Sequence, residues 1–232
     1  MKDVKAVVFD VFGTLVDWRS SIARELQAVF GARVDVWALA DAWRAEYQPA
    51  MEEVRAGRIP FCKLDLLHRR NLDIVLARAG LDCDEATRVA LNLAWHRLDA
   101  WPDVASGLHA LRSDYRIAPC SNGHIALMVD LARHNGFVWD AVLGAELARD
   151  YKPRPAVYLA AADAFDLAPA QTLMVAAHSS DLEAAAAAGL RTAFLARPDE
   201  FGAGRGERTA AVAVDLTVSS VPELAQALAA LR

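Results

Sequence analysis

Two kinds of apolar pattern alternate along the chain. Residues 5–10, KAVVFD, make a short apolar run that ends on an acid and a Gly turn. That is the pattern of a strand buried on both faces of a parallel sheet. Similar runs recur at 116–121 (RIAPCS), more weakly at 138–143, and again at 172–177 (TLMVAA), 191–196 (RTAFLA) and 211–218 (AVAVDLTV). Helical stretches lie between them, at 124–136 and in DLEAAAAAGL, which has Asp181 near its start and Gly189 just past its end. Such alternation predicts a mostly parallel sheet with helices on both faces. Residues 18–98 break it. They carry only helical periodicity, with helices expected at 20–30, 36–57, 61–80 and 83–98. An insertion after the first strand lies over the carboxyl ends of the strands, where α/β sheets bind ligands. The expected architecture is therefore α/β. A Rossmann-like core of residues 1–17 and 99–232 carries a helical-bundle cap, 18–98, that closes the site against water.

Polar residues interrupt the pattern at four strand ends or turns: Asp10 and Thr14, Ser121 and Asn122, Lys152, and His178 with Asp181. In an open α/β sheet, neighbouring strand ends converge on one crevice. Each residue also has a purely structural reading. Thr14, Ser121 and Asp181 could cap helices, Asn122-Gly123 could be an ordinary turn, Lys152 a solvated loop lysine and His178 a satisfied structural histidine. The glycine-rich GAGRGE at 202–207 lacks the Lys-Ser/Thr and the strand-turn-helix context of a phosphate loop and reads as a flexible loop. Trp37, Trp43 and Trp95 read as bundle core or interface.

Composition narrows the function. With 232 residues, 55% hydrophobic content and 24% charged, the chain is long enough for a buried core and is not of the disordered class. A net charge of −5, with Lys and Arg dispersed, gives no reason to expect nucleic acid or an anionic membrane as partner. No apolar run reaches a membrane span, and no signal-peptide pattern opens the chain. Cys62, Cys83 and Cys120 fit neither a disulfide framework nor a zinc site, which points to a reducing cytoplasm.

The segments FDVFGTLVD, SNG, YKPRPAVY and VAAHSSDLEAAAAAGL stand in the order and places of the four motifs of the haloacid dehalogenase superfamily. The resemblance spans essentially the whole chain. The DxFGT start, the Trp43-Arg44 pair and YKP…VY make it similar to the type II L-2-haloacid dehalogenase branch. Phosphatases of the superfamily place a second Asp two residues after the nucleophile and bind Mg²⁺. Here that position is Phe12, which can neither donate a proton nor ligate a metal. Dehalogenases often have Tyr there.

The resemblance implies a metal-free and cofactor-free reaction with a small 2-haloacid. Asp10 attacks C2 of the (S)-substrate and expels halide; water then hydrolyses the aspartyl ester to a 2-hydroxyacid. It implies N–H groups of Val11 and Phe12 and the Ser121 hydroxyl as carboxylate binders, and Arg44 with Asn122 as the halide cradle. Phe12 and, more loosely, Phe61 form apolar walls. Lys152 keeps Asp10 ionised, Tyr158 supports the cluster, Thr14 bonds Asp10 and Asp181 positions the hydrolytic water. His178 stands where the family has Asn, and Ala176 where a Ser is common. His178 either assists Asp181 in activating water or replaces Asn as a donor. A homodimer through the cap is also in keeping with the resemblance. Three rivals remain. One is hydrolysis of a strained ring such as azetidine-2-carboxylate, with Glu46 as an acid near Arg44. The others are a metal-dependent phosphatase, opposed by Phe12, and a non-catalytic anion-binding relative, opposed by the intact Asp10, Lys152 and Asp181.

Overall fold

The computed structural model describes residues 1–231; the expected core boundary at 232 lies outside them. Among the described residues six parallel strands form one sheet in the order β3-β2-β1-β4-β5-β6. They are β1 (Ala6–Phe9), β2 (Arg116–Ser121), β3 (Leu143–Gly144), β4 (Thr172–Ala176), β5 (Arg191–Leu195) and β6 (Leu216–Val218). β1 and β4 are buried at every residue, as their unbroken apolar runs require. Eleven α-helices complete the chain among the described residues. Five follow β1: α1 (Trp18–Phe30), α2 (Val36–Ala45), α3 (Tyr47–Arg55), α4 (Leu64–Arg78) and α5 (Glu85–Asn92). The other six cover the sheet: α6 (Val104–Arg112), α7 (Ile125–Asn135), α8 (Ala145–Ala148), α9 (Pro155–Asp163), α10 (Ser179–Ala187) and α11 (Val221–Ala230). No helix among the described residues is long and apolar enough to cross a membrane.

The α/β class and the helical insertion agree with the sequence pattern; several boundaries differ. The helix expected over 36–57 breaks at Glu46 into α2 and α3. Pro49 explains the break: its ring would clash with the carbonyl of Ala45 and it offers no N–H. The last helix of the insertion ends as α5 and continues as a 3-10 turn, Leu93–Arg97. β3 is shorter than the strand expected at 138–143 and ends one residue later; only Leu143 and Gly144 pair, with Cys120 and Ser121. β6 is an edge strand of three residues rather than eight. Asp17, Asp35 and Asp84 cap α1, α2 and α5 through their carboxylates, which fixes where each starts.

Aromatic packing ties the insertion to the sheet. Trp95 stacks on Trp18 at 6.3 Å between ring centroids and meets Trp43 edge-on at 5.5 Å. Its ring also meets Phe12, on the loop after β1, edge-on at 5.8 Å. Each buried indole withdraws roughly 200 Å² from water, worth about 5 kcal/mol at most. Of the three tryptophans read as bundle core or interface, Trp43 and Trp95 are core, whereas Trp37 is not: it is 44% exposed, with the Arg19 guanidinium 4.8 Å above its ring.

Candidate active site

β1 lies between β2 and β4, so the loops after these three strands meet at the centre of the carboxyl edge. Asp10 directly follows β1, Ser121 closes β2, and His178 caps α10 two residues after β4. Lys152 comes from the segment between α8 and α9. Its N–H donates to Asn122 Oδ1 at 2.8 Å, which binds the second and third motifs to each other.

Asp10 is buried, and both of its oxygens are held. Thr14 Oγ1 donates to Oδ2 at 2.8 Å and in turn accepts from Ala177 N–H at 2.9 Å. Lys152 Nζ donates to Oδ1 at 3.0 Å. His178 Nδ1 stands 3.2 Å from Oδ2. Burial alone would raise the Asp10 pKa, but the charges of Lys152 and His178 outweigh it and hold the carboxyl well below its usual range. Asp181 is pushed the other way, by burial and then by the Asp10 charge, against the pull of Lys152. Lys152 Nζ also reaches Asp181 Oδ2 at 2.6 Å, and Tyr158 Oη donates to Asp181 Oδ1 at 2.5 Å. Burial disfavours the Lys152 ammonium, yet the two carboxylates keep it charged. One lysine thus joins two carboxylates whose environments drive their pKa values apart, a pattern that assigns different proton roles to two like groups.

The side chain that the sequence did not reveal is Glu200. It sits on the loop after β5 and is almost completely buried. Its Oε1 accepts from Trp18 Nε1 at 3.1 Å, and its Oε2 lies 2.9 Å from His178 Nε2. Gly13, at φ +84°, makes room: a Cβ there would fall 2.1 Å from Glu200 Oε1. His178 is therefore clamped between Asp10 and Glu200. Burial opposes its charge, but the two carboxylates outweigh that and push its pKa up to about 10. It is a proton donor at neutral pH, and no hydrogen bond joins it to Asp181 among the described residues. Nothing in the 196–207 stretch distinguished Glu200 from any surface acid, because its partners lie 182 and 22 residues away. GAGRGE likewise does more than span a gap: Glu207 accepts from Ser179 N–H and hydroxyl at the start of α10.

Asp10, Lys152, Tyr158, His178 and Asp181 open onto a cavity of about 890 Å³ between the sheet edge and the helical insertion. On its far side Arg44, at the end of α2, lies 4.0 Å from the Tyr47 ring and 5.4 Å from the Trp18 ring. Its Nη1 is buried with no hydrogen-bond partner. Arg44 makes no ion pair among the described residues, an arrangement suited to receiving an anion. Beside Asp10, no backbone or side-chain acceptor takes the N–H of Val11 or Phe12 among the described residues. Asn122 and Tyr158 reach the cavity wall. Ser121 is fully buried with its Oγ accepting from Gly123 N–H, and it does not line the cavity. Phe61 lies elsewhere, packed on Tyr151 at 5.3 Å and under Arg149. Glu46 also turns away, into an ion pair with Arg78, so it supplies no acid beside Arg44.

A family model for haloacid dehalogenase-like hydrolases matches residues 4–189. Haloacetate dehalogenase H-2 of Moraxella sp. (strain B) is 28% identical over 200 residues, covering 85% of this chain and 88% of that protein. The crystal structure of the L-2-haloacid dehalogenase PA0810 is 47% identical, with a TM-score of 0.93 over 98% of this chain and 99% of the other. That of the defluorinating L-2-haloacid dehalogenase Rha0230 is 43% identical, with a TM-score of 0.93 over 97% and 95%. The chain belongs to the haloacid dehalogenase-like hydrolases, within their L-2-haloacid dehalogenase branch.

Proposed function

We propose that this protein hydrolyses (S)-2-haloacids to 2-hydroxyacids through an ester on Asp10, without a metal, and that residues 18–98 act as its cap domain. The observation that carries this reading is an ionised, buried carboxylate facing an unpaired arginine across a cavity, with Phe12 in place of a second acid. Relatives named haloacetate dehalogenase and (S)-2-haloacid dehalogenase support the substrate class.

The substrate carboxylate is received by the N–H groups of Val11 and Phe12. Arg44 and Asn122 cradle the departing halide, which needs no proton. Asp10, desolvated and aimed by Thr14, Lys152 and His178, displaces it in line at C2. Ester formation removes the Asp10 charge. Asp181, with its raised pKa, then takes the proton of the water that attacks the aspartyl carbonyl. His178 serves this step as a cationic donor to the carbonyl oxygen, which supports the reading in which it replaces the family's Asn rather than acting as a base. Two cations already engage the oxygens of Asp10, and a divalent ion there would face both. Three free thiols support a reducing compartment. Exposed Leu66, Val89 and Leu93 support a homodimer through the cap, which sedimentation velocity tests.

The deciding experiment is chloride release from L-2-chloropropionate with EDTA present. Sustained release supports the reading. No release, with Mg²⁺-dependent hydrolysis of p-nitrophenyl phosphate, overturns it. Single turnover in H₂¹⁸O should place label on the Asp10 peptide.

A further inference from the structure

Away from the cavity, three side chains converge where the helical insertion meets the core. Asp65 lies in the first turn of α4 and His96 in the 3-10 turn that ends the insertion. His124 caps the start of α7, two residues after Asn122. One donor atom from each lies within 4.8 Å of the others. None of the three lines the cavity.

We propose that Asp65, His96 and His124 bind one divalent ion of the zinc class, which fastens the insertion to the core. Four observations carry this. The spacings suit one ion: His96 Nε2 is 3.0 and 3.1 Å from the two Asp65 oxygens, and His124 Nε2 is 3.5 Å from Asp65 Oδ2. Donors held about 2.1 Å from a tetrahedral ion stand roughly 3.4 Å apart. His96 is oriented from behind, because its Nδ1 meets the Asp130 carboxylate at 2.7 Å. Nε2 now shares its proton with Asp65; with an ion in that proton's place, the carboxylate on the outer nitrogen would hold the tautomer that presents Nε2 as a ligand.

His124 is 3% exposed, and its Nε2 stands 3.5 Å from Asp65 Oδ2, beyond an ordinary hydrogen-bond length, so its nearest acceptor holds it only loosely. A bond from Nε2 to a metal would engage that buried nitrogen more closely. Finally, two imidazoles and one carboxylate are a borderline set. They favour Zn²⁺, Co²⁺ or Ni²⁺ over Mg²⁺ or Ca²⁺, which prefer all-oxygen sites. Asp65 and Asp130 together balance the ion's two charges. The ion stands outside the proposed chemistry at Asp10: it would hold His124, and with it the turn bearing Asn122, against the insertion.

The test is calorimetric titration of the EDTA-stripped, dialysed full-length protein with ZnCl₂, with Co²⁺ absorption reporting coordination. One equivalent should bind with micromolar or tighter affinity, raise the melting temperature, and give a tetrahedral Co²⁺ spectrum. His96→Ala and His124→Ala should each weaken binding at least tenfold and remove the thermal shift, while Asp10→Asn binds as the wild type does. Absence of saturable one-equivalent binding by the wild type overturns the proposal, and this outcome requires no variant to fold. Undiminished binding by His96→Ala/His124→Ala also overturns it, since the ion then sits elsewhere.

Discussion

The two walls of the cavity are built on opposite principles. On the core wall every charged group is spent: Asp10, Lys152, Asp181, His178 and Glu200 form one continuous chain of hydrogen bonds and ion pairs. On the cap wall Arg44 is set among aromatic rings with a buried Nη1 left unbonded. A saturated network has fixed geometry and fixed protonation, which a nucleophile needs before substrate arrives. An unsaturated cation in an apolar setting holds its interaction in reserve for an incoming anion. Under the proposed function, the difference separates a wall that prepares chemistry from one that receives charge. Backbone links hold the two together: Arg55 Nη1 donates to Lys152 C=O at 2.8 Å, and Arg154 donates to Arg55 C=O.

Substitutions should reveal the contrast. Asp10→Asn should cost about 10⁴-fold or more in kcat and abolish single-turnover halide release, because an amide is a far weaker nucleophile than the ionised carboxylate it replaces. Arg44→Ala should cost about 10³-fold in kcat/KM, with Arg44→Lys recovering only part. If Arg44→Ala changes kcat/KM less than tenfold, the cap wall is not the anion receiver. Asp181→Asn should slow turnover about 10²-fold or more yet leave a halide burst, since displacement precedes its proton transfer. Intact-mass spectrometry would then find the ester on the protein.

Glu200→Gln probes the saturation itself. With His178 raised to about 10, the imidazolium persists through neutral pH and is lost as pH climbs through that value. Its contribution to stability has the same sign: full below the ordinary value near 6.5, fading between there and about 10. Removing Glu200 withdraws one of the two carboxylates sustaining the charge. The alkaline limb of the kcat profile should move to lower pH, and the His178 titration read by NMR should follow. An unmoved limb means His178 does not serve as the donor. The smallest effect is expected for Arg55→Ala, a rise in KM of about 3- to 10-fold, from loss of one hydrogen bond across the two walls.

The alternation of buried runs and helical stretches, set by side-chain period alone, specified the α/β class and the inserted helices. Asp10, Thr14, Asn122, Lys152, Tyr158, His178 and Asp181 were all legible because each sits at a strand end or in a short motif whose local geometry is encoded nearby. Phe12 was legible as an exclusion, since a phenyl ring cannot do an acid's work wherever it points. What only the tertiary structure decided depends on pairs remote in sequence. Glu200 reaches His178 from another loop, Glu46 turns to Arg78, Phe61 packs on Tyr151, and Asp65, His96 and His124 meet across the insertion boundary. The charge on His178 belongs to the same class, because a pKa is set by whatever surrounds the group, and its surroundings come from chain segments that the local pattern does not bring together.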